Sequence, residues 1–301
     1  MKKVVSVSLG SSKGNKEVAT KFLEEDFLIQ RIGTDGNFNR ARQLIRELDG
    51  TVDAITLGGI DRWVVAGSRR YEIRDARELV RCATKTPIVD GSGLKHTLER
   101  EAVYWINQNL LPLAGRNSLL VSAVDRFGMA SALMDCNANV MFGDLIFAVG
   151  LDWPIRSETS LKRLARFALP IMTKLPFQWL YPTGKKQEEH SPSTWRKKYY
   201  EWASFICGDF HYIHKFLPHS MGGKTVLTNT LTAEQVEELR ETGVSTVITT
   251  TPNFGGRSFG TNVMEGVVVS LLGRPVEEVT ENDYLSILQQ LAWKPEVIKL
   301  A

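Results

Sequence analysis

The chain has 301 residues, enough for a large core and two domains. Its apolar content of 43% and charged content of 24% are typical of a soluble globular protein, and a net charge of +3 does not indicate a nucleic-acid-binding surface. No run approaches the ~18 apolar residues of a membrane span, and three widely separated cysteines argue against a disulfide framework or a thiolate zinc site. Because the N-terminus reaches serine and glycine too soon for a signal peptide, we expect a cytoplasmic protein.

The first 90 residues alternate between predicted strands and helices, which favours a mostly parallel sheet. Apolar residues at spacings of three and four predict an amphipathic helix over residues 37–49, and Arg74 to Thr84 reads as a second helix. The segment around Gly67-Ser68 predicts a β-hairpin. Short apolar or β-branched runs predict the strands Val4–Leu9, Phe27–Ile32, Val52–Leu57 and Pro87–Asp90.

The segment after the fourth strand carries two candidate catalytic residues. Asp90 ends the strand, and the chain turns through Gly91 and Gly93 into a helix of about residues 95–109. Open α/β sheets bind ligands at the carboxyl ends of their strands, where Asp90 would lie. Lys95 follows within the first turn of the helix, and a carboxylate beside an ammonium group can hold a hydroxyl and move its proton. The alternative is a helix-capping aspartate with an exposed lysine.

Residues 110–150 are typical of a nucleotide-binding half. Residues 110–117 predict a hinge, and a strand, a turn, a helix and a strand follow between Leu119 and Gly150. The turn lacks the G-x-G-x-x-G pattern, because Gly128 is its only glycine. Asp125 would repel a pyrophosphate, whereas Arg126 would attract one, so Arg126 and Gly128 are the cofactor candidates here.

Residues of about 151–223 predict a helical insertion that packs over a cleft. A helical stripe of leucine and alanine is followed by an aromatic, proline-broken run and a charged segment. The basic helix also allows contact with a membrane surface. His211, His214 and His219 follow Asp209, but their spacing does not place all three on one face, so we predict no metal site.

Residues 224–272 predict a strand, a helix, a strand, a glycine-rich loop and a second helix. The loop 253–262 includes Gly255, Gly256 and Arg257, and it precedes a helix N-terminus. Such a loop directs backbone N–H groups and a positive helix dipole at one point, which suits a phosphate or carboxylate. The alternative is a tight connection that needs glycine for its backbone conformation and binds nothing.

Four segments of the chain resemble motifs of the shikimate/quinate 5-dehydrogenase family. They are Ser6-Val-Ser-Leu-Gly-Ser-Ser12, Val89-Asp-Gly-Ser-Gly93 with Leu98, Thr228-Asn-Thr230, and Val247-Ile-Thr-Thr-Thr-Pro-Asn-Phe-Gly255. They resemble, in order, the family's serine-bearing substrate loop, its N-T-D-x-x-G segment, its N-R-T turn and its V-I-N-A-T-P-x-G loop. The family's G-A-G-G-A turn is replaced by Ala123-Val-Asp-Arg-Phe-Gly128. Its catalytic lysine, about 35 residues before the aspartate, has no match in a region that offers Gly58-Gly-Ile-Asp-Arg62.

The resemblance implies a role for each matching residue. It makes Asp90 the catalytic aspartate, with Lys95 as its predicted partner, and it places substrate at Ser8, Ser11 and Ser12. It implies NAD or NADP as cofactor. The resemblance and the two glycine-bearing turns together predict the cofactor contacts. These contacts are Arg126, Gly128, Asn229, Thr230, Thr251, Gly255, Gly256 and Arg257.

We therefore expect an α/β fold of two domains with mostly parallel sheets. Residues 1–112 would form a substrate domain and residues 113–301 a Rossmann-like domain that carries the helical insertion. The predicted function is NAD(P)-dependent oxidation or reduction of a polyhydroxy carboxylate of the quinate or shikimate type. A non-redox enzyme and a sensor of a phosphate- or carboxylate-bearing metabolite are the alternatives. We expect a small acidic substrate, no nucleic acid and no integral membrane segment, and the sequence leaves open whether the chain forms a homodimer.

Overall fold

The computed structural model describes residues 1–66, 69–176, 193–251, 253–254 and 257–300, with side chains excluded at 253–254 and 257–258. Over these residues the chain forms a mixed α/β fold with two largely parallel sheets, as the sequence predicts. Residues 67–68, predicted as the turn of a hairpin, lie outside the described residues, but both strands of that hairpin are present.

The first sheet belongs to the N-terminal part of the chain. Its strand order is β2-β3-β1-β4-β7, and all neighbours are parallel except β2 and β3. β1 is its central strand, with Val4 opposite Ile29 of β3 and Ala54 of β4. The strands are β1 (Lys2–Ser8), β2 (Lys16–Phe22), β3 (Glu25–Gly33), β4 (Ala54–Gly58) and β7 (Ile88–Val89), and a separate hairpin pairs β5 (Trp63–Ala66) with β6 (Arg69–Glu72).

The second sheet has the strand order β9-β8-β10-β11-β12-β15, and all neighbours are parallel except β12 and β15. The order of its parallel strands is that of flavodoxin-like folds, in which ligands bind where the chain reverses direction across the sheet, here between β8 and β10. The strands are β8 (Asn117–Leu120), β9 (Asn139–Phe142), β10 (Phe205–Cys207), β11 (Thr225–Thr228), β12 (Thr246–Thr249) and β15 (Glu296–Lys299). A two-residue hairpin pairs β13 (Asn253–Phe254) with β14 (Arg257–Ser258).

The helices cover the two sheets, and some of them begin at side chains that cap the first turn. Asn37 caps α1 through the backbone N–H of Arg40, and Thr232 and Gln235 form the capping box that starts α8. The helices are α1 (Phe38–Leu48), α2 (Arg74–Val80), α3 (Ser92–Asn109), α4 (Phe127–Asp135), α5 (Glu158–Met172), α6 (Thr194–Trp202), α7 (Phe210–Lys215), α8 (Ala233–Glu241), α9 (Thr261–Leu272) and α10 (Glu281–Gln290). None of the helices in the described ranges is both long and apolar enough to cross a membrane.

Two helices join the halves of the molecule. The first part of α3 packs Leu94 and Leu98 into the core of the first sheet, and its second part packs Val103 and Ile106 into the core of the second. Helix α9 returns the C-terminal part of the chain to the first sheet, where Gly266 lies directly against β1 and β4. Residues 261–290, assigned by sequence to the second domain, therefore pack largely on the first sheet.

The range 151–223, predicted as a helical insertion, has a more central place in the fold. It contains β10, which lies between β8 and β11 in the second sheet. Its helix α5 packs Ala165 and Leu169 into the core of the first sheet and so spans the two halves. Part of the range, residues 177–192, lies outside the described residues.

Candidate functional site

Two adjoining cavities lie between the sheets, at the carboxyl ends of their parallel strands. The first, which we call the acidic cavity, has a volume of about 360 Å³. The second, which we call the basic cavity, has a volume of about 590 Å³ and contains Lys16 and Arg31 in its wall. Four residues line both cavities, namely Gly58, Gly59, Gly260 and Asn262.

The acidic cavity takes its name from five aspartates in its wall, which follow strands of both sheets. They outnumber its two strong cations, Lys95 and Arg126. Helix α5 closes the cavity on another side with Leu169 and Met172. The aspartates are Asp61, Asp90, Asp125, Asp144 and Asp209.

A lysine lies between two of these carboxylates. Lys95 Nζ is 2.8 Å from Asp125 Oδ2 and 3.3 Å from Asp61 Oδ2. Asp61 comes from the loop after β4 and Asp125 from the turn after β8, so the lysine on α3 connects the two sheets. The side chains of Asp61 and Asp125 remain 23% and 36% exposed, which makes both reachable from the cavity.

Burial and neighbouring charges shift the pKa values of Asp61, Asp125 and Lys95 in different directions. Burial raises the pKa of Asp61 to about 7, although Lys95 lowers it. Burial would also raise the pKa of Asp125, but Lys95 and Arg126 outweigh it and leave that pKa below its usual value. Burial would lower the pKa of Lys95, but Asp125 and Asp61 leave it raised. Near neutral pH, Lys95 and Asp125 are therefore charged, and Asp61 is the group able to gain or lose a proton.

Arg126 does not offer a free guanidinium to a phosphate, contrary to the prediction. It is almost fully buried and forms ion pairs with Glu99 and with Asp209, the latter at 2.9 Å from Nη2 to Oδ2. Two carboxylates therefore neutralise it, and Asp125 precedes it in the same turn. An incoming pyrophosphate would meet more negative than positive charge at this turn.

Three buried polar atoms in the wall of the acidic cavity have no hydrogen-bond partner among the described residues. They are Asp144 Oδ2, Ser122 Oγ and Arg126 Nε. Burial raises the pKa of Asp144 to about 6, even though the backbone N–H groups of Val124 and Ala123 lower it. These atoms are an acceptor, a hydroxyl and a donor that the described residues leave without a partner, and each of the three is itself buried.

Asp90 lies in the wall of the acidic cavity, as predicted, but it does not contact Lys95. Its Oδ2 accepts hydrogen bonds from the backbone N–H groups of Arg62 and Trp63, and its Oδ1 accepts from the backbone and hydroxyl of Ser92. The side chain is 7% exposed. Asp90 therefore holds the loop that presents Asp61, and Asp61 takes the place beside Lys95 that the sequence analysis gave to Asp90.

The predicted cofactor residues separate into different places. Gly128 packs α4 against α3, because a Cβ there would lie 2.4 Å from the carbonyl oxygen of His96, and it lines neither cavity. Asn229 lines the acidic cavity and Thr230 lines the basic cavity. Thr251 is buried, and its hydroxyl bonds to that of Thr230 at 2.7 Å.

Gly255 and Gly256 lie outside the described residues, and so does the side chain of Arg257. The anion-binding loop proposed for residues 253–262 is consequently described only at its ends. Gly260 and Asn262, which begin α9, line both cavities.

Of the three predicted substrate serines, Ser8 reaches a cavity, and it is the basic one. Its hydroxyl accepts a hydrogen bond from Arg31 Nη2 at 3.1 Å. Ser11 caps a short 3-10 turn over Ser12–Gly14, and Ser11 and Ser12 are both exposed outside the cavities.

The histidines near Asp209 do not gather around one point. His211 lines the acidic cavity, whereas His214 Nε2 lies 2.8 Å from Glu238. Within the described ranges, no three His, Cys, Asp or Glu side chains are grouped to hold a metal ion.

Sequence comparison assigns the larger part of this structure to a family. Residues 93–300 match a family model described as Domain of unknown function (DUF8754), and residues 3–90 match a second, described as Domain of unknown function (DUF8753). The chain belongs to the DUF8754 family. The two matches meet at the start of α3, and residue 112, the predicted domain boundary, lies inside the DUF8754 match. No curated protein matches the chain.

Solved structures that are similar to this DUF8754 member match it at low sequence identity. The substrate-binding protein of a sugar ABC transport system from Bordetella parapertussis is 10% identical, with 99% of this chain and 89% of that chain covered and a TM-score of 0.36. An NAD-dependent malic enzyme from Thermotoga maritima is 11% identical, with 96% and 84% covered and a TM-score of 0.36. A hetero-hexameric glutamate dehydrogenase from Thermus thermophilus is 11% identical, with 97% and 77% covered and a TM-score of 0.40.

Asp61 is a candidate site residue of this DUF8754 protein that was not predicted, although the sequence carries a signal for it. Asp61 follows Gly58-Gly59 at the carboxyl end of a predicted strand, the criterion that selected Asp90. Asp125 was noted only as a charge that repels phosphate. Arg31 had no local signal, because it faces the basic cavity from within β3.

Proposed function

We propose that this chain is an enzyme that transfers a proton to or from a hydroxyl group of a small polyhydroxylated molecule bound in the acidic cavity. The observation that carries the proposal is the placement of Lys95 between Asp61 and Asp125 in the wall of that cavity. A carboxyl group with a pKa near neutrality, beside a fixed positive charge, is suited to general acid–base catalysis.

Each member of the group has a distinct role in this proposal. The ionised carboxylate of Asp61 accepts the substrate hydroxyl proton, and its protonated form returns a proton in the reverse direction. Lys95 stays protonated because Asp125 holds it, and its ammonium group stabilises the negative charge that develops on the substrate oxygen. Asp90 is a positioning residue, since it fixes the backbone of Arg62 and Trp63 directly after Asp61.

The shikimate/quinate 5-dehydrogenase resemblance supports a more specific form of this proposal. In that form, the substrate is a polyhydroxy carboxylate, and NAD or NADP supplies the redox chemistry. The family combines a lysine with an aspartate about 35 residues later, and here an aspartate, Asp61, precedes a lysine, Lys95, by a similar interval. The same two residue types are therefore present in exchanged positions.

The turn after β8 does not fit the diphosphate of a dinucleotide. Its guanidinium, Arg126, is neutralised by Glu99 and Asp209. Asp125 precedes Arg126 in the turn, and Asp144 accepts a hydrogen bond from the backbone N–H of Val124 in the same turn. This observation counts against the dehydrogenase form and leaves a non-redox role for the acidic cavity, in which no nicotinamide binds, as the second candidate.

A substrate panel with and without nucleotides tests the proposal. Quinate, shikimate and neutral polyols would be incubated with the protein in D2O, alone and with NAD or NADP, and followed by proton NMR. We expect Asp61→Asn to reduce turnover by about 100-fold or more, a magnitude typical of a lost general base, with ligand affinity retained. The matched control is Asp26→Asn, which alters an exposed carboxylate on β3 and should leave turnover unchanged.

Two results would reject specific parts of the proposal. Turnover that survives Asp61→Asn would remove Asp61 from the proton-transfer role. An absence of NAD and NADP binding by calorimetry at millimolar concentration would reject the dehydrogenase form and leave the non-redox form, which requires substrate turnover without nucleotide.

A further inference from the structure

The basic cavity contains a guanidinium that no carboxylate pairs with among the described residues. Arg31 Nη1 donates to the carbonyl oxygen of Ser11 at 3.0 Å, and Nη2 donates to Ser8 Oγ at 3.1 Å. Both acceptors are uncharged, so the positive charge of Arg31 is oriented without being neutralised. Burial lowers the pKa of Arg31, and Asp35 offsets this only in part.

The loop after β1 is shaped to hold this guanidinium. A Cβ on Gly14 would lie 2.8 Å from Arg31 Nη1, and a Cβ on Gly10 would lie 3.0 Å from Arg31 Nη2. The two glycines therefore let the loop pass close to Arg31, and larger residues at these two positions would displace the Arg31 guanidinium. Such preorganisation is what a ligand-binding arginine needs.

The rest of the wall is also suited to an anion. Lys16 lies 5.8 Å from the ring of Phe259, and none of the described residues that line the cavity is acidic. Thr230, Thr232 and Asn262 add polar side chains, with the two threonines supplied by the second half of the molecule. Apolar side chains complete the wall at Val18, Ile29, Leu231, Phe259 and Val263.

We propose that the basic cavity is a binding site for an organic anion, whose phosphate or carboxylate group is held by Arg31 and Lys16 and whose apolar part lies against Phe259. Arg31 and Lys16 belong to β3 and β2, outside every segment that carries the dehydrogenase resemblance. The basic cavity shares Asn262 and three glycines with the acidic cavity, but neither Arg31 nor Lys16 takes part in the proposed proton transfer.

Calorimetric titration of inorganic phosphate and phenyl phosphate at constant ionic strength tests the site. We expect saturable binding that is stronger for phenyl phosphate, which also fills the apolar part. Arg31→Gln and Lys16→Gln should each weaken binding by on the order of tenfold, because hydrogen bonds to ionised groups are the stronger ones. The matched control is Lys13→Gln, which removes an exposed lysine of the same loop that does not line the cavity.

Lys16→Gln guards against a folding artefact, because Lys16 is exposed and, unlike Arg31, donates no hydrogen bond to the loop among the described contacts. The proposal is overturned if neither anion binds saturably, or if Lys13→Gln weakens binding as much as Arg31→Gln and Lys16→Gln do. Displacement experiments assign the source of the anion: NADP would displace phenyl phosphate if a cofactor phosphate occupies the site, and quinate would displace it if a substrate carboxylate does.

Discussion

The acidic and basic cavities share a wall at Gly58-Gly59, but the cationic side chains of the two cavities have different hydrogen-bond partners. In the acidic cavity, Lys95 and Arg126 each contact two carboxylates. In the basic cavity, Arg31 is oriented by uncharged oxygens of Ser8 and Ser11. Cations of the first kind contribute to stability and set the protonation of their neighbours, whereas a cation of the second kind remains available to a ligand.

Because their charges differ, the two cavities suit different chemical groups of a ligand. An anionic group would meet excess negative charge in the acidic cavity and unpaired positive charge in the basic one. Because both cavities contact Asn262 and Gly260 at the start of α9, one elongated ligand or two neighbouring ligands can occupy them. A hydroxylated part would then lie at Asp61 and an acidic part at Arg31.

The largest effect is expected from removing Arg126. Arg126→Met leaves Glu99 and Asp209 without their cation, and Glu99 is only 2% exposed. Breaking a buried ion pair in this way costs about 3–5 kcal/mol. Urea unfolding should therefore show a large loss of stability for Arg126→Met. Arg31→Met should lose less, about 2 kcal/mol, because two hydrogen bonds of about 1 kcal/mol each are removed and no carboxylate is left buried without its cation.

A double variant provides the control for this prediction. Adding Glu99→Gln to Arg126→Met removes one of the uncompensated carboxylates and should recover part of the lost stability. Equal costs for Arg126→Met and Arg31→Met would contradict the distinction between the two kinds of cation.

A pH-dependent effect of intermediate size is expected from Asp144, in the wall of the acidic cavity. Burial raises its pKa from 3.8 to about 6, so the folded state holds its proton more tightly than the unfolded state does. Its contribution to stability is therefore fully present below about pH 4 and is lost as the pH rises to about 6, by at most about 3 kcal/mol.

Asp144→Asn should abolish this dependence. The free energy of unfolding of the variant, measured relative to the wild type between pH 4 and pH 7, should rise with pH and level off above about 6. If this difference in the free energy of unfolding does not change with pH, the pKa of Asp144 is not raised in the folded state. Asp26→Asn, an exposed substitution, should give a difference that does not change with pH.

Local sequence patterns predicted most elements of the fold, because α1, α8 and the strands β1, β4 and β11 follow from periodicity and capping. They missed β10, whose three residues Phe205–Cys207 follow α6 so closely that they read as its continuation. The edge strands β2 and β15 also escaped prediction. Pairing across a sheet, which no local pattern encodes, makes these segments strands.

The site was predictable only in part for a related reason. Its position at the end of a strand predicted that Asp90 would lie in a cleft. The sequence could not predict that Asp90 Oδ2 would accept hydrogen bonds from the backbone N–H groups of Arg62 and Trp63. Nor could it show that Lys95 would turn to Asp61 and Asp125, which are 34 and 30 residues away in sequence. Contacts of this kind depend on how the two sheets face each other.

The smallest predicted effect concerns Gly128, which lies in the first turn of α4. A Cβ there would lie 2.4 Å from the backbone oxygen of His96, so Gly128→Ala must push α4 away from α3. Overpacking of this kind costs about 1–3 kcal/mol. Gly222→Ala is the matched control, because a Cβ there has nothing within 4 Å, and its stability should be unchanged. If Gly128 contacted a dinucleotide, Gly128→Ala would weaken NAD or NADP binding with little loss of stability. If Gly128 serves helix packing, Gly128→Ala should lower the urea midpoint and leave the binding of phenyl phosphate in the basic cavity unchanged.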